Sequence, residues 1–207
     1  MVTVPALPKN RPADALISCV IPAYNEAAHL ADFLRDLRQT LAGFATRYEI
    51  IVINDGSSDN TDQVMAPLLA ESGLRYISFS RNFGKEAALS AGIDAAQGDA
   101  VILMDSDYQH PLELLPEMTR LWQSGIDMVY GVISDRSNES RLKRWGTGMF
   151  YHLMESGSPI TIPRNAGDFR LMDKQVVQAL RQLPERNRFM KGLYAWVGFS
   201  SIALPFV

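Results

Sequence analysis

Asp105 and Asp107, two residues apart in Leu103-Met-Asp-Ser-Asp-Tyr-Gln-His110, are the side chains whose type and spacing point most directly to chemistry. At the loosened end of a strand both carboxylates can turn to one side and present hard oxygen ligands to Mg²⁺ or Mn²⁺. Alone they repel; a divalent ion offsets that charge and leaves coordination sites for phosphate oxygens. Gln109 or His110 could add a third ligand. The same residues also suit a solvated turn in which an aspartate caps a helix running from Pro111 to Ser124.

Three other polar clusters share this placement just after an apolar run: Pro22-Ala-Tyr-Asn-Glu26, Asn54-Asp-Gly-Ser-Ser-Asp59 and Ser80-Arg-Asn-Phe-Gly-Lys85. Tyr24 offers a ring to stack on a nucleobase, and Glu26 a carboxylate for ribose hydroxyls. Asp55 could accept hydrogen bonds from a base or ribose edge. Gly56 permits a tight turn, while Ser57 or Ser58 and Asp59 could equally be helix caps or an Asx turn. Arg81 and Lys85 can meet phosphate charge where a helix begins, since a helix N-terminus itself favours an anion.

The elements that must position these residues follow from periodicity. Short β-branched runs predict strands at Leu16 to Ile21, Tyr48 to Ile53, Leu74 to Phe79, Ala100 to Met104 and Asp127 to Val132. Amphipathic stretches between them predict helices at Ala27 to Leu41, Asp59 to Ser72, Lys85 to Gln97, Leu112 to Ser124 and Glu139 to Glu155. The alternation gives an α/β fold with a mostly parallel central sheet. Ligands of such sheets bind beyond the carboxyl ends of the strands, so all four polar tips should face one crevice. Beyond Glu155 the sequence predicts a Gly- and Pro-rich loop, a helix from about Asp173 to Leu183, a basic stretch from Arg186 to Lys191 and a strand-like end from Phe199 to Val207.

With 207 residues, 47% of them hydrophobic and 21% charged, the composition is that of an ordinary globular protein. We expect a loose N-terminal arm over 1–15 and one domain over 16–207, whose first half (16–110) carries the four polar tips and whose second half (111–207) follows them. The net charge of −3 argues against nucleic acid as a partner. The one cysteine, Cys19, sits in an apolar run and suits a buried structural thiol. No secretory signal is expected in the Pro-containing first residues, and no stretch reaches the roughly 20 apolar residues that span a bilayer. No G-x-G-x-x-G follows the first strand, which argues against a dinucleotide-dependent dehydrogenase.

Taken together, Val20-Ile-Pro-Ala-Tyr-Asn-Glu26, Asn54-Asp-Gly-Ser-Ser-Asp-Asn-Thr61, Arg81-Asn-Phe-Gly-Lys85 and Asp105-Ser-Asp-Tyr-Gln-His-Pro111 resemble the inverting family 2 glycosyltransferases. Asn165-Ala-Gly-Asp-Phe-Arg-Leu-Met172 and Glu185-Arg-Asn-Arg-Phe-Met-Lys-Gly192 narrow the resemblance to the polyisoprenyl-phosphate branch, which includes dolichol-phosphate mannose synthases and bactoprenol glucosyltransferases. The resemblance implies a GT-A (Rossmann-like) nucleotide-sugar-binding fold and an inverting hexosyltransferase. In it Pro22, Tyr24, Glu26 and Asp55 contact the nucleotide, with Ser57, Arg81, Lys85, Asp105 and Ser106 completing the nucleotide-sugar set. Asp105, Asp107 and Gln109 would bind Mg²⁺ or Mn²⁺. The donor would be a nucleotide-sugar, plausibly UDP-glucose, and the acceptor a polyprenyl phosphate. Asp168 matches the position often proposed as a base; it could instead orient the acceptor or pair with Arg170.

Arg136, Arg141, Lys143 and Arg144 precede Trp145, Phe150 and Tyr151 on an expected helix, a basic and aromatic pattern suited to a lipid phosphate or an anionic membrane surface. Arg136, counted with Asp168 as catalytic, is assigned to the acceptor phosphate, with Arg141, Lys143, Arg144 and Arg170 beside it. Ile133 departs from the family, whose bacterial members often carry a basic residue there. Family members usually continue past the region equivalent to Val207 into amphipathic and transmembrane helices, and this sequence ends before them. The expected location is cytoplasmic, peripheral on the inner face of the cell membrane, or anchored there if further sequence follows. Assembly as a homo-oligomer is compatible with the chain. The competing expectations are a family 2 transferase with a soluble saccharide acceptor and a non-catalytic nucleotide-binding scaffold.

Overall fold

A computed structural model describes residues 11–134, 166–185 and 188–206. Seven strands form one sheet in the order β3-β2-β1-β4-β6-β5-β7: β1 Leu16–Ala23, β2 Arg47–Asn54, β3 Leu74–Ser78, β4 Ala100–Leu103, β5 Met128–Ile133, β6 Ala166–Asp173 and β7 Ser201–Phe206. Strands β1 to β4 pair in parallel, as do β5 and β7, while β6 runs antiparallel to both of its neighbours. The helices are α1 Leu30–Ala42, α2 Thr61–Leu68, α3 Lys85–Ala95, α4 Leu115–Gln123 (entered through a 3-10 turn, Leu112–Leu114), α5 Lys174–Gln182 and α6 Met190–Trp196.

Both faces of the sheet are covered, which is why its central strands read as continuous apolar runs. On one face Ile17, Cys19 and Ile21 of β1 and Ile50 and Val52 of β2 pack with Phe33 and Leu37 of α1 and with Met118 and Trp122 of α4. On the other, Val20, Ile51, Ile53, Val101 and Leu103 meet Leu89 and Ile93 of α3, Val176 and Leu180 of α5, and Tyr194 of α6. The alternation within one strand sends neighbouring residues to opposite layers, as the two-residue strand period requires. Cys19 is fully buried, and burial pushes its thiol well above the usual range, so it is a structural residue.

The expected strands and the first four helices are present with ends shifted by a few residues. Two elements had no assignment from the sequence. Ala166–Asp173 is a strand, and Met190–Trp196, which overlaps the expected basic stretch only at Met190 and Lys191, is a short helix burying Met190 and Tyr194. The expected helix at Glu139 to Glu155 lies outside the described residues. Among the described residues no helix is long and apolar enough to cross a membrane.

Candidate functional site

Strand β1 lies between β2 and β4, and its chain continues to one side into β2 while β4 joins from the other, so a crevice opens at the carboxyl ends of these strands. The β1 and β2 tips are tied together there. Asn25 adopts a left-handed backbone (φ 58°), which asparagine tolerates better than most residues. Its Oδ1 accepts from the backbone N–H of Ser58 (2.9 Å) and Asp59 (3.3 Å), and its own N–H donates to Ser57 Oγ (2.9 Å). Asp59 accepts from the N–H groups of Ala27 and Thr61, both at 3.0 Å. Asp59, and neither serine, therefore serves the entry of α2, and Ser57 works as a clamp outside the cleft lining instead of as a donor contact. The hydroxyl oxygen accepts within the loop that joins the β1 and β2 tips.

Asp55 does for the β3 tip what Asn25 does for β2. Only 3% exposed, it accepts from the backbone N–H of Phe83 (2.7 Å) and Gly84 (2.9 Å), one on each oxygen. Each oxygen keeps a lone pair, so the group can still meet a base or ribose edge while bracing the loop that delivers Lys85. An asparagine here would turn an amide against one of those N–H donors. We expect Asp55→Asn to destabilise the fold by about 2 kcal/mol in urea unfolding and to weaken nucleotide binding. Arg81, expected at a phosphate, instead lays its guanidinium over the Phe83 ring at 4.1 Å and is exposed outside the cleft lining.

Asp105 and Asp107 follow β4. The loop is turned by Tyr108, which is also left-handed (φ 60°) and is held there by its hydroxyl on Asp36 Oδ2 (2.8 Å) and its ring edge-on to Phe33. Asp107 Oδ1 accepts from the Gln109 N–H (3.0 Å), so it closes a local turn and does not cap the following helix, and its carboxylate still reaches the cleft. Gln109 is exposed and does not line the cleft. Nor is His110 free as a ligand through Nδ1, which accepts from the Asp105 N–H (3.3 Å), while its ring stacks on Phe169 at 4.7 Å. Burial outweighs the nearby carboxylates and holds His110 below its ordinary pKa, consistent with the neutral ring that this acceptor role needs.

Strand β6 brings the second half of the site. Its antiparallel pairing sets Arg170 opposite Leu103, so Asp105, two residues after Leu103, and Asp168, two residues before Arg170, reach the same edge. Lys85, the first residue of α3, places Nζ 2.7 Å from Asp105 Oδ2 and 3.1 Å from Asp168 Oδ2. Burial alone would lower the Lys85 pKa; attraction to the two carboxylates outweighs it and raises it. Asp168 Oδ1 is buried with no hydrogen-bond partner among the described residues. Arg170 is not the partner of Asp168. Its guanidinium is 3% exposed, lies 3.5 Å over the Tyr194 ring and donates to the Gly167 carbonyl at 2.7 Å. Such burial makes it a brace under β6. Arg136, Arg141, Lys143 and Arg144 lie outside the described residues.

The result is a cleft of about 420 Å³ floored by Pro22, Ala23 and Ala88 and rimmed by Tyr24, Glu26, Asp55, Lys85, Asp105, Ser106 and Asp107. Asn82 and Gly84 also line it and were not foreseen; only the chain's turn at the β3 tip brings them in. Tyr24 is 47% exposed, a ring free to stack, and Glu26 pairs with His29 at its side. A diphosphate-bearing ligand fits this lining, which combines an aromatic ring, carboxylates and an ammonium. Asp105 already attracts a cation, the Lys85 ammonium, so its donor chemistry suits a hard divalent ion whose remaining ligands are phosphate oxygens.

Comparison with known proteins agrees with this geometry. The model of the family "Glycosyl transferase family 2" matches residues 18–181. An uncharacterised glycosyltransferase of Synechocystis is 48% identical over 88% of this chain and 58% of its own length. The bactoprenol glucosyl transferase of Shigella phage SfV is 44% identical over 92% of this chain and 62% of its own. The chain thus spans about three-fifths of these relatives. Among solved structures, a mannosyltransferase of Pyrobaculum calidifontis in complex with GDP-Man and Mn²⁺ aligns with a TM-score of 0.64 at 18% identity, covering 92% of this chain and 55% of that one. The glucosyl-3-phosphoglycerate synthase of Mycobacterium tuberculosis, with Mn²⁺ and UDP-glucose, aligns at 0.59 and 22% identity, over 92% and 70%. With the sheet order, the crevice and the matched residues in agreement, the chain belongs to glycosyltransferase family 2 and has the GT-A fold.

Proposed function

We propose that the protein is an inverting hexosyltransferase that moves a sugar, with UDP-glucose the first candidate donor, to a polyprenyl phosphate at the cytoplasmic face of a membrane. The observation that carries this reading is one cleft lined by Tyr24, Glu26, Asp55, Lys85, Asp105 and Asp107, to which Asp168 is joined through Lys85. The 44% identity to a bactoprenol glucosyl transferase supports the acceptor, and the Mn²⁺ complexes of the fold neighbours support the cation.

Asp105 and Asp107 would hold Mg²⁺ or Mn²⁺, which when bound neutralises the diphosphate of the donor and its departing nucleoside diphosphate. Tyr24 stacks the base, while Glu26 and Asp55 hold the ribose or base edge. An oxygen of the acceptor phosphate attacks the anomeric carbon from the opposite face as the bond to the diphosphate breaks, inverting the configuration. That oxygen is already anionic near neutral pH, so no strong base is required. Asp168, engaged by Lys85, then acts by orienting the acceptor. Arg136 and the neighbouring cations would meet the lipid phosphate and the anionic surface around it.

The test is incubation with radiolabelled nucleotide-sugars, Mn²⁺ or Mg²⁺, and polyprenyl phosphate in detergent. We expect label to enter the organic phase with one donor and to depend on the metal. Labelled product confined to water would favour a soluble acceptor, and no transfer from any donor, with nucleotide still bound, would favour a binding scaffold.

A further inference from the structure

Lys85 contacts carboxylates from both the β4 loop and β6, and the geometry gives it a task distinct from holding phosphate. Its Nζ lies 2.7 Å from Asp105 on the β4 loop and 3.1 Å from Asp168 on β6. Three constraints fix this position. Gly84, with φ 96°, turns the chain into α3 at a backbone angle that L side chains rarely adopt. Asp55 holds the N–H groups of Phe83 and Gly84, so the residue before the helix cannot drift. Ala88, one turn later on the same helix face, is buried in the sheet and fixes the rotation of α3.

We propose that Lys85 is a tethered cation that holds the donor-side carboxylate Asp105 and the acceptor-side carboxylate Asp168 together before the donor binds and gives up Asp105 to the divalent ion when the donor enters. Two carboxylates brought to one edge would otherwise repel, and an ammonium between them offsets that repulsion. A divalent ion bound by Asp105 and Asp107 competes with the ammonium for Asp105 and is repelled by it. The released ammonium stays near Asp168 and the incoming diphosphate, so loading the donor rearranges the contact that places the acceptor carboxylate. Lys85 is thereby a positioning residue that makes acceptor geometry depend on donor loading. The proposal rests on the metal role of Asp105 and Asp107.

The decisive measurement separates ion binding from turnover. Lys85→Met keeps the apolar stem of the side chain, one atom short of Nζ, and removes its charge; Lys85→Arg keeps the charge. Mn²⁺ affinity of the donor-free protein, read by electron paramagnetic resonance, is expected to tighten by about tenfold in Lys85→Met and to stay near the wild-type value in Lys85→Arg. In the same Lys85→Met protein, nucleotide-sugar affinity and kcat should both fall. A thermal melt of each variant confirms that it is folded, and a variant that melts well below the wild type is replaced by Lys85→Gln. Mn²⁺ binding that is unchanged or weaker in the folded neutral variant would overturn the role of Lys85 while leaving the metal site standing. A wild-type protein that binds no Mn²⁺ with or without nucleotide would overturn the metal site and this proposal together.

Discussion

Asp107→Asn is expected to lower transfer by about 10³-fold while leaving the fold intact, because the substitution removes charge and preserves shape. The Asx turn survives it. An asparagine Oδ1 can accept the Gln109 N–H as Asp107 Oδ1 does now, so the left-handed Tyr108 and its bond to Asp36 keep their anchor. What disappears is a hard anionic ligand. Asp105→Asn should lose as much activity with a further consequence, since it also frees Lys85 from its 2.7 Å contact and leaves that ammonium to Asp168 alone. Initial rates over a range of Mn²⁺ concentrations, alongside Mn²⁺ binding without donor, check both. Turnover within about threefold of wild type at saturating metal would mean that these carboxylates do not carry the cation.

Gly56→Ala should be nearly as damaging to activity and far more so to stability. Gly56 has φ +65°, and a Cβ built on it would stand 2.1 Å from the Arg81 carbonyl carbon and 2.5 Å from the Asn82 nitrogen. Both are backbone atoms, so no side chain can swing away; the β2 tip and the β3 tip would have to separate. That separation breaks the bonds from Phe83 and Gly84 to Asp55 and moves Lys85 away from Asp105. We expect a loss of about 3 kcal/mol or more in urea unfolding, with nucleotide binding lost in whatever fraction stays folded. Unfolding and nucleotide affinity equal to wild type would show that the two loops are not in close contact in solution.

These two positions differ in how legible they were. The aspartates announced themselves by type and spacing, and the loop after β4 does present both to the cleft. Gly56 could be read only as a tight turn, because the reason for it lies in Arg81 and Asn82, which are remote in sequence. The same divide separates the residues assigned to the donor that line the cleft from those that do not. Pro22, Tyr24, Glu26 and Asp55 follow strands and line the cleft, as the strand-end rule predicts for a parallel sheet. Ser57, Arg81 and Gln109 follow strands equally well, yet local bonding or a ring contact turns them elsewhere. A motif assigns a residue to a loop; the competition among that loop's own hydrogen bonds decides which side chains remain free.

The sequence by itself determined the α/β class, the strand ends that carry chemistry and the family, because apolar periodicity and turn residues are encoded over a few neighbouring positions. Only the tertiary structure decided that Ala166–Asp173 inserts antiparallel between β4 and β5, that Arg170 is buried under Tyr194, and that Asp168 answers to Lys85. Those outcomes depend on which strand lies beside which. Strand order sets them through contacts between residues far apart in the chain, and no local pattern of residue types records that order.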